Sequence, residues 1–184
     1  PIYRAGQAAS GRSLLHGELS AGYTFSSQKM QLVTEEGETS ALKGFDARVL
    51  WSPLTWLSAG MEMTQFGNEH FQEFFVSSYK TRRTGGIVKL TLSPDTNPRV
   101  YVVAGYGRTS HKLVYDHSVI ETASWPDHET KTIPYWMVGI GLETNVWRSV
   151  FVGIEGNVVR NRSARLVRYY QMDAKTETEI RLRA

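Results

Sequence analysis

Eight segments of this chain alternate apolar with polar residues: His16–Phe25, Leu42–Trp51, Trp56–Phe66, Thr84–Ser93, Arg99–Thr109, Pro134–Thr144, Arg148–Val158 and Thr176–Ala184. A period of two sends successive side chains to opposite faces of an extended strand, so the chain reads as all-β. One face is oily, as in Leu19, Ala21, Tyr23 and Phe25 of the first segment or Trp136, Val138, Ile140 and Leu142 of the sixth. The opposite face is rich in glycine and carries charge in mid-strand, at Glu18, Asp46, Arg48, Glu62, Lys89, Glu143, Glu155 and Arg181. In a soluble sandwich that second face is solvated and the oily one forms the core. In a membrane barrel the directions reverse.

The connections favour the barrel. Ser52–Thr55, Pro94–Pro98 and Asn145–Trp147 read as tight turns, with Pro or Asn where turns favour them. Long connections follow Phe25, Phe66, Thr109 and Val158. Tight turns at one end and long loops at the other predict an eight-stranded antiparallel up-and-down transmembrane β-barrel. Aromatic placement points the same way. Trp51, Trp56 and Trp147 stand beside the tight turns, and Tyr23, Phe25, Phe45, Phe66, Tyr106 and Trp136 beside the long loops. Two aromatic girdles mark two membrane interfaces. About ten tilted residues per strand span roughly 23 Å, enough for an outer membrane.

Composition changes this picture little. A mean hydropathy of −0.33 and 41% hydrophobic residues are ordinary for a soluble protein. Barrels pass that test because only alternate strand residues face lipid. No apolar run approaches the roughly 20 residues of a spanning helix, which excludes a helical membrane protein. The 184 residues contain no cysteine, so there is no disulfide framework and no thiolate metal site. A formal net charge of +3 argues against a dedicated nucleic-acid binder. Residues 1–13 are small and polar without an apolar stretch, and read as a flexible N-terminal segment of a mature chain, with the barrel over 14–184.

These residues resemble the small eight-stranded outer-membrane barrels of Gram-negative bacteria, the outer membrane protein A, outer membrane protein X and opacity-protein group. The likeness is carried by Val100-Tyr-Val-Val-Ala-Gly-Tyr-Gly107, Tyr135-Trp-Met-Val-Gly-Ile-Gly-Leu-Glu143, Phe151-Val-Gly-Ile-Glu-Gly156 and the turn Leu50-Trp-Ser-Pro-Leu-Thr-Trp56. The resemblance implies a bacterial outer-membrane location, lipid and lipopolysaccharide as surroundings, and protein partners met through long loops. One departure is the final Arg-Leu-Arg-Ala184, where such barrels usually end on an aromatic residue.

An eight-stranded lumen is filled by side chains, so a general porin is not expected; a narrow gated pore is the remaining variant. Enclosed charges must pair. We therefore expect Glu18, Asp46, Glu62 and Glu155 to meet Arg48, Lys89, Arg181 and Arg183 in a lumen network. Function is then expected on the loops, in adhesion, envelope stability or partner binding. Asn68–Tyr79 reads as a loop that is oily for a surface, with Phe71, Phe74, Phe75 and Tyr79. Arg160, Arg162, Arg165 and Arg168 crowd together and suit the phosphates of lipopolysaccharide, unless they only mark a solvated face.

Enzymes of similar size, lipid A deacylases and palmitoyltransferases, set one alternative. Here Ser110-His111 and His117-Ser118 are the close pairs, and neighbours on a strand point apart. His117, Asp127, His128 and Glu129 have metal-ligating side chains but read better as surface residues. Gly105-Tyr-Gly107 lacks the helix a dinucleotide fingerprint needs. A soluble lipocalin-like barrel is the other alternative, without its usual early Gly-X-Trp. The expectation is a barrel with no catalytic residues, cofactor or metal.

Overall fold

The computed structural model describes residues 16–29, 31–32, 39–68, 76–115, 127–147, 150–162, 164–165, 170–172 and 176–184. The expected 1–13 segment lies outside them. Among these described residues eleven strands are formed: β1 (His16–Lys29), β2 (Gln31–Leu32), β3 (Thr39–Leu54), β4 (Leu57–Asn68), β5 (Val76–Thr91), β6 (Arg99–Tyr115), β7 (His128–Trp147), β8 (Val150–Asn161), β9 (Ala164–Arg165), β10 (Tyr170–Met172) and β11 (Thr176–Arg183). Eight of them close into an antiparallel barrel in the order β1-β11-β8-β7-β6-β5-β4-β3. The short β2, β10 and β9 pair as a separate three-stranded sheet on the long-loop side. No helix among the described residues is long and apolar enough to cross a membrane, which says nothing of a barrel.

The register fixes the shape of the barrel. A walk perpendicular to the strands leads from Trp51 through Ala59, Val88, Ala104, Val138, Val158, Thr178 and Ser27. It returns to β3 at Ala41, ten residues above its start. A shear of ten over eight strands corresponds to a strand tilt of about 40°. The tight turns meet at one end, where Asn97 ties two of them together: its Oδ1 accepts from the Asn145 N–H (2.9 Å) and the Thr144 hydroxyl (3.0 Å).

The oily face points outward on every wall strand. Leu19 is 80% exposed, and Val49, Met61, Ile140, Ile154 and Leu182 are exposed with it. The charged face points inward: Arg48, Arg83 and Arg181 are among the most completely buried side chains. This inversion is what distinguishes the molecule from a soluble sandwich or lipocalin. Both aromatic girdles are present on the outside, Trp51, Trp56 and Trp147 at the tight-turn end and Tyr23, Phe25, Phe45, Tyr106 and Trp136 toward the loops. Phe66 is a correction. Met61, Met63 and Gln65 take the outward positions of β4, so Phe66 falls on the even, inward phase and is buried.

A second correction concerns strand length. Every expected strand exists, but the wall runs further toward the loops than the alternation showed. β5 begins at Val76 rather than Thr84, and Tyr79, expected in an oily loop, is an inward strand residue with 1% exposure. Phe71, Phe74 and Phe75 lie outside the described residues.

Glycines on the inner face permit the tight curvature of so small a barrel. Gly85 and Gly107 are cross-strand partners on β5 and β6. A Cβ on Gly107 would lie 2.5 Å from the Gly85 Cα and against the Thr84 carbonyl oxygen; one on Gly85 would lie 2.5 Å from the Tyr135 hydroxyl. The missing side chains are thus room for the neighbouring backbone and for Tyr135.

Candidate functional site: lumen network and outer wall

Inward phase brings the charges of seven strands into the enclosed interior. Arg48 of β3 forms a bidentate pair with Glu155 of β8 (2.7 Å twice) and also donates to Glu62 of β4 (3.0 Å). Arg181 of β11 meets the same Glu62 (2.8 Å) and Glu179 (2.8 Å). Arg183 links Glu155 (2.6 Å) to Asp46 (2.7 Å). Toward the tight turns, Lys89 sits between Glu18 (3.0 Å) and Glu143 (2.7 Å), with its ammonium 4.6 Å from the centre of the Tyr101 ring. All eight expected residues are therefore inside the barrel, and each acid among them meets a base of the set. Lys89, Glu18 and Glu143 form a group of their own near the turns.

The network extends beyond the expected set. Arg83 bonds Glu179 and Glu177 (3.0 Å), and its guanidinium lies 5.1 Å from the Tyr135 ring centre and 5.5 Å from that of Phe66. Asn161 donates to Glu177 (2.6 Å) and accepts from Thr109 (2.9 Å). Arg83 escaped the sequence reading because it precedes the expected strand start at Thr84. Its parity with Lys89 was the signal that would have found it. An apolar cluster of Leu50, Ile87, Tyr101, Val103, Tyr135, Met137 and Val159 fills the remaining interior beside these ions.

Ser110 and His111 point apart, as neighbours on a strand must. Ser110 faces out, while His111 is fully buried within the wall above the apolar band. Its Nδ1 shares a 2.6 Å hydrogen bond with the Tyr79 hydroxyl, and the two rings are stacked. His117 and Ser118 lie outside the described residues. Asp127 and His128 are exposed at the loop end, and among the described residues no group of three or more His, Asp or Glu side chains is placed to hold a metal.

The arginine group expected on the last long loop is divided. Arg160 and Arg162 are exposed at the upper end of β8, pointing outward from the wall. Arg165 belongs to β9, and its side chain and the whole of Arg168 lie outside the described residues. Sequence reasoning missed a broader pattern. Outward positions above the loop-side aromatic ring carry Lys43, Lys80, Arg82, Arg108, Lys112, Arg160 and Arg162, all exposed. No acidic residue faces outward from the described wall strands.

No family model matches the sequence, and no curated protein matches it. Solved structures do. Neisserial surface protein A shares 10% identity at a TM-score of 0.58, over 91% of this chain and 96% of that one. Ail, the attachment invasion locus protein of Yersinia pestis, shares 12% identity at a TM-score of 0.51, over 91% and 97%. A second Ail structure, in complex with the heparin analogue sucrose octasulfate, matches equally. Identities this low speak to architecture alone. The fold of this chain is that of the small eight-stranded outer-membrane β-barrels, the group its sequence pattern resembles.

Proposed function

We propose that this chain is an outer-membrane barrel of a Gram-negative envelope whose filled interior makes it an anchor rather than a porin, and whose long loops serve adhesion or partner binding at the surface. The observation that carries the reading is the inverted sidedness of the wall. Exposed aliphatic residues form a continuous band between two aromatic rings, while fully buried arginines and glutamates pair inside. In water such a band would be a very large exposed apolar surface, far beyond the few hundred Å² a soluble monomer tolerates. In lipid it is the solvated state. The ionic network and the apolar cluster together occupy the lumen, which supports a structural role for the interior.

A surface role is supported by the length of the loop-side connections and by the fold shared with Ail, a protein named for attachment and invasion. Lipopolysaccharide is proposed as the lipid partner, with Arg160 and Arg162 among the contacts. A lipid A-modifying enzyme is not favoured, since Ser110 and His111 lie on opposite sides of the wall. The test is membrane fractionation combined with gel mobility before and after boiling. The reading expects the chain in the outer-membrane fraction with a compact band that shifts on heating; a soluble, non-shifting product contradicts it.

A further inference from the structure

We propose that two copies of this chain pair side by side in the membrane through the β3–β4–β5 wall, with Arg82 of each copy set on Gln65 of the other. This pairing rests on the outer-membrane reading, since it uses a face turned toward lipid.

Heights along the barrel axis follow from the register. At a tilt of about 40°, each residue climbs about 2.5 Å, and each strand-to-strand step along a register row climbs about 3 Å. On β1, β3, β6, β7, β8 and β11 the oily outward run ends at Phe25, Phe45, Tyr106, Trp136, Val158 and Ile180. Counted from Trp51, these six lie about 14–18 Å up. On β5 the run already ends at Val88, about 6 Å up, and Gly86 and Thr84 take the next outward positions. The oily collar is therefore notched on this side. Gln65 of β4 and Arg82 of β5 are cross-strand neighbours at the upper lip of the notch, about 18 and 21 Å up.

Arg82 turns into the collar rather than away from it. Its Nη2 lies 3.2 Å from the sulfur of Met63, which pairs with Thr84, two positions nearer the tight turns. Long basic side chains at a membrane edge ordinarily reach for the interface. A guanidinium aimed the other way is costly unless a polar group meets it, and lipid tails offer none.

The patch complements its own image. Two barrels inserted in the same direction are related by an axis along the membrane normal, so each residue faces the partner's wall at its own height with left and right exchanged. Strands leaning by about 40° also shift sideways by about 2 Å per residue. An axis between Gln65 and Arg82 then sets Gln65 opposite the partner's Arg82, within about 3 Å in height, and Arg82 opposite the partner's Gln65. The same axis sets Met63 against the partner's Ala47, and Phe45, 58% exposed, against the partner's Thr84 beside the notch. Projecting side chains meet small ones, and each guanidinium meets an amide oxygen rather than the other guanidinium. In lipid, oily contact alone gives no advantage over contact with tails; close approach over small residues and side-chain hydrogen bonds join walls instead.

The test uses the full chain carrying Thr55→Cys, labelled at this tight-turn site with a donor or an acceptor dye and folded into zwitterionic vesicles at high lipid excess. The expected result is energy transfer above the random-collision level. It should fall to that level with Arg82→Ala and with Gln65→Ala, and return in the exchanged variant Gln65→Arg with Arg82→Gln. In unlabelled chains that keep Arg82 and Gln65, a mixture of Phe45→Cys and Thr84→Cys should give a dimer with a short thiol cross-linker. A mixture of Ile140→Cys and Val158→Cys, on another part of the wall, should not. The cross-linking result decides the matter should an alanine variant fail to fold. Wild-type transfer at the collision level despite a compact gel band, undiminished transfer in both alanine variants, or equal cross-linking of the two mixtures each overturns the pairing. Absence of any compact band for the wild type would instead overturn the barrel reading beneath it.

Discussion

Arg48 shows how individual side chains hold the interior together. It lies among Glu62 and Glu155, from strands on either side of the lumen, and Arg181 and Arg183 complete the neutralisation of those two acids. Removing one member leaves its partners charged and enclosed, which costs more than the pair contributes. Arg48→Ala should therefore lower the unfolding free energy in vesicles by about 3–5 kcal/mol, measured by urea titration. A change within about 0.5 kcal/mol, the scale of an inert surface substitution, would show that the network does not support the barrel. That these residues share an enclosed face is legible in the alternation. Who meets whom is not: Arg48 and Glu155 are brought together by strand register and barrel closure, which no local pattern encodes.

At the scale of elements, the strands are legible only where their two faces differ. From Thr84 down β5 alternates oily with polar, and the segment was recognisable. From Arg83 up to Val76 the hydrogen-bonded ladder with β6 continues, but the outward positions hold Lys80 and Arg82. The contrast fades once the wall leaves the apolar band, so alternation alone leaves Tyr79 in a loop and Arg83 outside the strand. The inward glycines are the opposite case, visible as a pattern but explained only by the curvature. Gly107→Val should destabilise by about 1–3 kcal/mol, because its side chain meets the backbone of Thr84 and Gly85. Gly156→Ala, whose Cβ meets nothing within 4 Å, should change stability by less than about 0.5 kcal/mol. Comparing the two by urea unfolding separates tight inner curvature from a general intolerance of glycine replacement; equal effects would remove the curvature argument.

For the whole molecule, orientation decides everything else. The lumen network and the aromatic rings each acquire a role only if the oily face looks into hydrocarbon. The chain contains no cysteine, so single-cysteine spin labels report one position at a time. Labels at outward sites avoid disturbing the packed interior: Val49→Cys, Ala104→Cys, Ile140→Cys and Ile154→Cys within the band, and Arg82→Cys and Lys112→Cys above it. In vesicles, collision with dissolved oxygen should dominate at the first four, and collision with a water-soluble nickel complex at the last two. Water-like accessibility at Val49, Ala104, Ile140 and Ile154 would contradict the account.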